Sequence, residues 1–347
     1  MELQKETLPS IKSDELDSNI STYFIDSSGI KKYVIEETLQ LLDRDDGFVW
    51  IDIRECDSAA SSLLEDIFHF HPLAIQACRE PTHLPKVHAY TEYLFVALQI
   101  PELGTDGHIH LLEMDQFLSR KFIVTVHEPG SKFVPMEALL KSTETALQRL
   151  KSGRLRPTLP MELSYSIVSS IARRVESLIT ELAGKVENLE QRVIDGHIGD
   201  PEKLLEVMFH LRHELLTVRT VVAHSREGFS RIVSLSPRLV PVEERPFLID
   251  LVDQFDRIRS LTDGEQQFLQ GVIDFYQNRT ITKLNIAMER LALITVLLLP
   301  VTAIASIYGM NIIVNQETQP MHLIAVLVII MLLMAFVFRW AKRQGWW

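Results

Sequence analysis

The sequence predicts a mixed α/β domain that continues through long helices into two membrane-spanning helices. Three observations carry this reading. Strand-like and helix-like segments alternate over roughly the first 160 residues. From there on the pattern is amphipathic and helical, broken at few points. Two uncharged runs of 18 residues, Leu291–Tyr308 and Met321–Phe338, then close the sequence. At 1.5 Å per residue each covers about 27 Å, close to the hydrocarbon thickness of a bilayer.

Bulk composition narrows the classes. A chain of 347 residues has room for two domains, and 46% hydrophobic with 23% charged residues excludes a disordered polymer. The net charge of −11 argues against a nucleic-acid partner and for a surface that attracts cations. Two cysteines, Cys56 and Cys78, make no disulfide framework and suit a reducing compartment. The N-terminal residues MELQKETLPSIKSDELDSN carry neither a basic nor an apolar leader region, so no signal peptide is expected.

Residues 1–25 are polar and are expected to be flexible. Residues 26–160 are assigned to the α/β domain. Phe48–Ile53, Tyr93–Ile100, Ile109–Phe117 and Phe122–Val126 read as strands. Ser58–Phe68 and Pro135–Leu150 read as helices, and Pro72 opens another. Residues 161–240 form long antiparallel helices, Glu162–Ile194 and Pro201–Val233, with Asp200 as N-cap and Pro201 in the first turn. A third helical stretch starts near Glu243 and meets no proline between Pro246 and Pro300. Read through to Tyr308, it has about 65 residues and a length of about 100 Å. Residues 241–290 are therefore a stalk, 291–311 the first span, 312–320 an external loop, 321–339 the second span and 340–347 a basic, aromatic tail.

Charge sets the orientation. Arg279, Lys283 and Arg290 precede the first span, and Arg339, Lys342 and Arg343 follow the second. The loop Gly309–Pro320 has no Lys or Arg and one acid, Glu317. Both termini are then expected in the cytoplasm, with two spans in an inner or plasma membrane. Trp340, Trp346 and Trp347 suit the cytoplasmic interface.

The first span carries a mildly polar stripe. Thr295, Thr302 and Ser306 share one helix face with Leu299. Steps of three and four extend this face through Leu291, Met288 and Asn285 at one end and to Gly309 at the other. Small hydroxyl residues also serve plain helix packing in membranes. A single hairpin encloses no pore, so transport would need several copies of the chain.

Tyr308-Gly309-Met310-Asn311 ends this span, after Leu299-Pro300-Val301-Thr302. Here the chain resembles the CorA family of magnesium channels, whose signature is Gly-Met-Asn at the end of the first of two C-terminal spans. His71-Pro72-Leu73-Ala74, Pro85-Lys86-Val87 and Tyr93-Leu94-Phe95 resemble the family's cytoplasmic domain. Asp250-Leu251-Val252-Asp253 resembles its stalk, and Ile273-Asp274-Phe275-Tyr276 with Thr282 and Asn285 resembles the segment leading into its pore.

The resemblance implies an α/β/α cytoplasmic domain in a homopentameric funnel that passes hydrated Mg²⁺ passively, with Gly309, Met310 and Asn311 as selectivity filter. Thr302 would add a second oxygen ring. Met288, Leu291 and Leu299 would be apolar constrictions, and Asn285 the cytoplasmic mouth. Glu317 would concentrate cations outside. Glu92, Asp250 and Asp253 would hold regulatory Mg²⁺ between subunits. Gln254 and Thr91 depart from the family there, which weakens the regulatory expectation.

The expected partners are further copies of the chain, the lipid bilayer and divalent cations. No catalytic cofactor is expected, there is no ATP-binding Gly-x-x-x-x-Gly-Lys-Ser/Thr loop, and no nucleophile–base pattern marks an enzyme. Two rival readings remain. One is a zinc, cobalt or nickel transporter of the same fold, with or without proton coupling, using His69/His71, His108/His110 or His210/His213 with Glu214. The other is a membrane-tethered coiled-coil scaffold.

Overall fold

The computed structural model describes residues 19–81, 85–196, 199–235, 240–309 and 320–343. They divide into two compact units, Met1–Gln270 and Gly271–Trp347.

The first unit is built on a seven-stranded sheet of order β2-β1-β3-β7-β6-β5-β4. Its strands are β1 (Ile20–Asp26), β2 (Gly29–Tyr33), β3 (Gly47–Ile53), β4 (Lys86–Ala89), β5 (Leu94–Leu103), β6 (Ile109–Leu118) and β7 (Phe122–His127). All neighbours pair antiparallel except β3 and β7, which run parallel with Val49 opposite Phe122.

The sequence expectation of a flexible N-terminus through residue 25 is corrected here. Ile20–Ile25 lie in β1, between β2 and β3, with Ile20, Phe24 and Ile25 buried. The α/β domain thus starts before residue 26. The apolar residues of ISTYFI anchor the strand although a polar segment precedes it. Gly47 allows the close approach of β1 and β3, since a Cβ there would collide with the carbonyl oxygen of Ile25.

Alternation along the strands sends side chains into two layers. On one face Val49, Ile51, Ile53, Phe95, Ala97, Phe117, Val124 and Val126 pack with α2 (Ser58–Asp66) and α3 (Pro72–Arg79), while α1 (Thr38–Leu42) adds Leu41. Phe70 stacks on Phe117 with ring centroids 4.1 Å apart. Asp57 caps α2 by accepting from the Ala60 N–H at 2.7 Å. The ring Nδ1 of His71 accepts from the Leu73 N–H at 3.2 Å at the start of α3, where Pro72 needs no donor.

The other face is covered by α4 (Met136–Lys151), α5 (Pro160–Asp195) and α6 (Pro201–Val233). Leu163, Ile167 and Val168 of α5 are fully buried. Several polar groups in this layer are paired across elements. Ser164 donates to Gln116 Oε1 at 2.6 Å, and Arg174 reaches Glu102 and the Ala138 carbonyl, each at 2.7 Å. A three-layer α/β/α sandwich results, as the family resemblance implies.

Helix α7 runs unbroken from Arg245 to Gly309, 65 residues, with Pro300 inside it. The boundary between the two units falls within it. Helix α8 is Pro320–Arg343.

Candidate ion pathway and cation-binding residues

By length and composition α7 is apolar enough to cross a membrane, and among the described residues a shorter apolar run, Leu327–Trp340, lies in α8. In the second unit each helix has a shielded face. On α7, Leu293 is buried and Leu297, Pro300, Val301 and Ile304 are half-buried. On α8, Ile330 is buried and Leu333, Met334 and Val337 are half-buried. Both sets recur at three- and four-residue steps, the spacing of a packed helix face.

The polar stripe lies elsewhere on α7. Thr295, Leu299, Thr302 and Ser306 are all exposed, Leu299 at 65%. Each sits two residues from a shielded position, hence about 200° away around the helix. Asn285, Met288 and Leu291 are likewise exposed, the last two at 60% and 65%. The stripe therefore faces out of the single chain.

Two features of α7 present oxygen along this stretch. The hydroxyls of Thr295 and Thr302 donate to the carbonyls of Leu291 and Leu298, each at 2.9 Å. With their protons turned into the helix, they present lone pairs outward. Pro300 has no N–H to give to the Val296 carbonyl one turn below, so that oxygen lacks its usual helical donor. Gly309 is the last residue of α7. Met310, Asn311 and Glu317 lie outside the described residues.

The carboxylates expected to bind regulatory cations are exposed in the first unit. Asp250 Oδ2 accepts from Tyr165 Oη at 2.7 Å and from Gln254 Nε2 at 2.5 Å, so Gln254 orients the acid beside it. Asp256 pairs with Arg226 at 2.8 Å. Asp253 is exposed and makes no ion pair among the described residues. Glu92 lines a cleft with Thr91, Arg120, Met161 and Glu244. Burial pushes the Glu244 carboxyl up, against the opposing pull of Arg120. Within one chain, Glu92, Asp250 and Asp253 do not gather into a metal-holding group among the described residues.

The histidine pairs suggested by spacing do not form as pairs. His71 caps α3, and His69 bonds the Glu65 carbonyl. His110 turns to Asp106 at 3.0 Å. His213 is exposed, whereas His210 meets His108 and Glu214. This group joins residues about a hundred positions apart, and helical spacing alone does not reveal it. Sequence reasoning also missed Asp115 of β6. Burial, then the neighbouring Glu113, pushes its carboxyl well above the ordinary range. Cys78 faces it and is pushed up by burial.

A helix long and apolar enough at one end to cross a membrane, with hydroxyl-bearing residues exposed along it, fits an integral membrane protein. Comparison with known proteins gives the family. Residues 45–343 match the family described as CorA-like Mg²⁺ transporter protein, and the chain belongs to it. It is 27% identical to YfjQ of Bacillus subtilis (strain 168) over 338 residues, covering 94% of this chain and 98% of that one. It is 26% identical to the cobalt/magnesium transport protein CorA of Thermotoga maritima over 251 residues, covering 71% of this chain and 68% of that one. The structure of the complete CorA magnesium transporter from Methanocaldococcus jannaschii superposes with a TM-score of 0.76 at 16% identity, covering 95% of this chain and 99% of that one. The protein is thus a divalent-cation transporter of the membrane and not an enzyme.

Proposed function

We propose that the chain is one subunit of a homopentameric channel that passes hydrated Mg²⁺ down its electrochemical gradient. The observation that carries this is the exposed stripe Thr295–Leu299–Thr302–Ser306, set opposite the shielded face of α7 and running to Gly309. An apolar-flanked face with lone pairs turned outward has little use toward lipid. Repeated around a symmetry axis, it lines a path with rings of oxygen.

Mg²⁺ prefers six oxygen ligands and gives up water reluctantly, so the path has to hold the ion through its water shell. Gly309, Met310 and Asn311 are proposed as the filter. Carbonyl and amide oxygens attract the hydrated ion without the trapping that a ring of carboxylates would cause. Met288, Leu291 and Leu299 are the proposed constrictions, and Asn285 is the proposed inner mouth. Two spans with both termini in the cytoplasm follow from the basic flanks of α7 and α8. The membrane potential then contributes about 4–5 kcal/mol per Mg²⁺ at 100 mV.

Glu92 of one subunit and Asp250 with Asp253 of the next are proposed as a closing site for cytoplasmic Mg²⁺. Unliganded, these carboxylates repel, and the bound ion favours the closed state. The name of the Thermotoga relative, a cobalt/magnesium transport protein, makes Co²⁺ a second proposed cargo.

The test is uptake into liposomes holding the purified full-length protein, with Mg²⁺, Co²⁺ or Zn²⁺ outside and with or without a pH gradient. Voltage-driven Mg²⁺ entry, indifferent to pH and abolished by Asn311→Ala in an intact oligomer, is the expected result. Proton-dependent Zn²⁺ entry without Mg²⁺ entry would overturn it.

A further inference from the structure

The turn between β5 and β6 brings His108 to the side of α6, where His210 and Glu214 stand one helical turn apart. Both imidazole Nδ1 atoms lie 3.3 Å from the same oxygen, Glu214 Oε1. Glu214 is buried, with 3% of its side chain exposed, while His108 opens to solvent. The other carboxylate oxygen, Oε2, accepts the Ile109 N–H at 2.9 Å, which fixes the carboxylate and leaves Oε1 to the histidines.

The hydrogen-bond pattern leaves one pair of atoms unmatched. His210 Nε2 lies 3.3 Å from the Gly107 carbonyl oxygen. A carbonyl only accepts, so Nε2 carries the proton and the Nδ1 of a neutral His210 is bare. That bare nitrogen faces Oε1, an acceptor, so the contact needs a positive charge between the two, either a second proton on His210 or a metal ion. A second shell of this kind, a ring N–H held by a backbone carbonyl, is also what fixes the tautomer of a metal-binding histidine.

The distances discriminate further. A charge-assisted N–H···O bond closes to about 2.7–2.9 Å, shorter than either contact here. Bonds of about 2.0–2.1 Å from a tetrahedral ion leave its ligand atoms about 3.3–3.4 Å apart.

We infer that His108, His210 and Glu214 form a site for a borderline divalent ion such as Zn²⁺ or Co²⁺, with water completing its coordination. Two imidazoles and one carboxylate suit such ions. They do not suit Mg²⁺, which takes oxygen ligands. The site therefore selects against the ion proposed for the pore, and it stands on geometry within the first unit alone. Its structural effect is to clasp the β5–β6 turn to α6. It would make the α/β/α unit responsive to transition-metal supply whatever ion the channel carries.

The experiment is equilibrium dialysis of metal-stripped full-length protein in detergent against Zn²⁺, Co²⁺ and Mg²⁺. The proteins compared are wild type, His108→Ala, Glu214→Gln and His213→Ala, with circular dichroism to verify folding. His108 is exposed, so His108→Ala tests ligation even where Glu214→Gln perturbs the fold. His213→Ala is a control on the same helix. Wild type and His213→Ala are expected to bind one more Zn²⁺ per chain than His108→Ala, with at least a tenfold loss of affinity at this site in the latter. Bound Co²⁺ is expected to show the strong visible absorption of a four-coordinate site, and excess Mg²⁺ is expected not to compete. Equal Zn²⁺ binding by wild type and His108→Ala, or displacement of Zn²⁺ by equimolar Mg²⁺, would overturn the inference.

Discussion

Replacing Thr302 by valine tests the pore stripe with little change of shape. Both residues are β-branched, and the hydroxyl being removed donates only within its own helix, to the Leu298 carbonyl at 2.9 Å. That carbonyl keeps its ordinary helical N–H donor, so α7 loses little. What is lost is an outward-facing acceptor, since Thr302 is exposed on the face away from Leu293 and Ile304. A hydrogen bond from a water polarised by the ion is worth about 1.5 kcal/mol at the low end of the charge-assisted range. Losing one such bond at the highest barrier slows passage about tenfold. The assay is Mg²⁺ entry into liposomes under a fixed voltage, with size-exclusion chromatography to verify the oligomer. Thr302→Ser keeps the oxygen and is expected to conduct like wild type. An intact Thr302→Val oligomer with wild-type flux would show that this hydroxyl faces lipid or a neighbouring helix, and the stripe would then be a packing surface.

Two further outcomes follow from charged groups in the first unit. Asp253 is exposed and has no ion pair among the described residues, so Asp253→Lys is expected to leave the fold and melting temperature unchanged. It is expected to abolish protection of the stalk from protease by Mg²⁺, and an unchanged protection curve would mark Asp253 as a solvated surface acid. Asp115 is buried at 3% exposure, and its folded-state carboxyl is raised above its unfolded value, chiefly by burial. Its contribution to stability is fully present below about pH 4 and is lost as pH rises toward the folded value. Asp115→Asn is therefore expected to melt higher than wild type at pH 8, with the gap closing toward pH 4. A variant less stable than wild type by the same margin at both pH values would contradict this account.

Legibility in the sequence followed how local each signal is. Helix α6 could be read from Asp200 and Pro201 alone, because a cap and a first-turn proline act on adjacent residues. The interior strands β3, β5 and β7 announce themselves as apolar runs, and β6 as apolar residues interleaved with polar ones. Strands β2 and β4 do not. GIKKY and KVHA lie at the two edges of the sheet, carry lysine and bury little, as edge strands do. β1 was obscured by the polar segment before it, although three of its residues enter the core. Among functional groups, the His108–His210–Glu214 set needs the β5–β6 turn laid against α6, a juxtaposition no spacing rule contains. The regulatory carboxylates are harder still, since one chain does not gather them and the proposed site needs its neighbour.

The pore stripe is the instructive exception. Most binding sites are assembled from distant segments, each supplying one ligand, so a linear reading catches only fragments. In a symmetric assembly one residue on one helix becomes a whole ring, because rotation supplies the other copies. Such a site is written along a single helix at its own period, as is proposed for Thr295, Leu299, Thr302 and Ser306 on α7. The proposed symmetry would also account for the exposure of these side chains in the single chain, where the opposite face of the helix is shielded. An exposed polar period opposite a shielded apolar one is what the proposed assembly of further copies would cover. A monomeric carrier would have to close such a face with segments of its own.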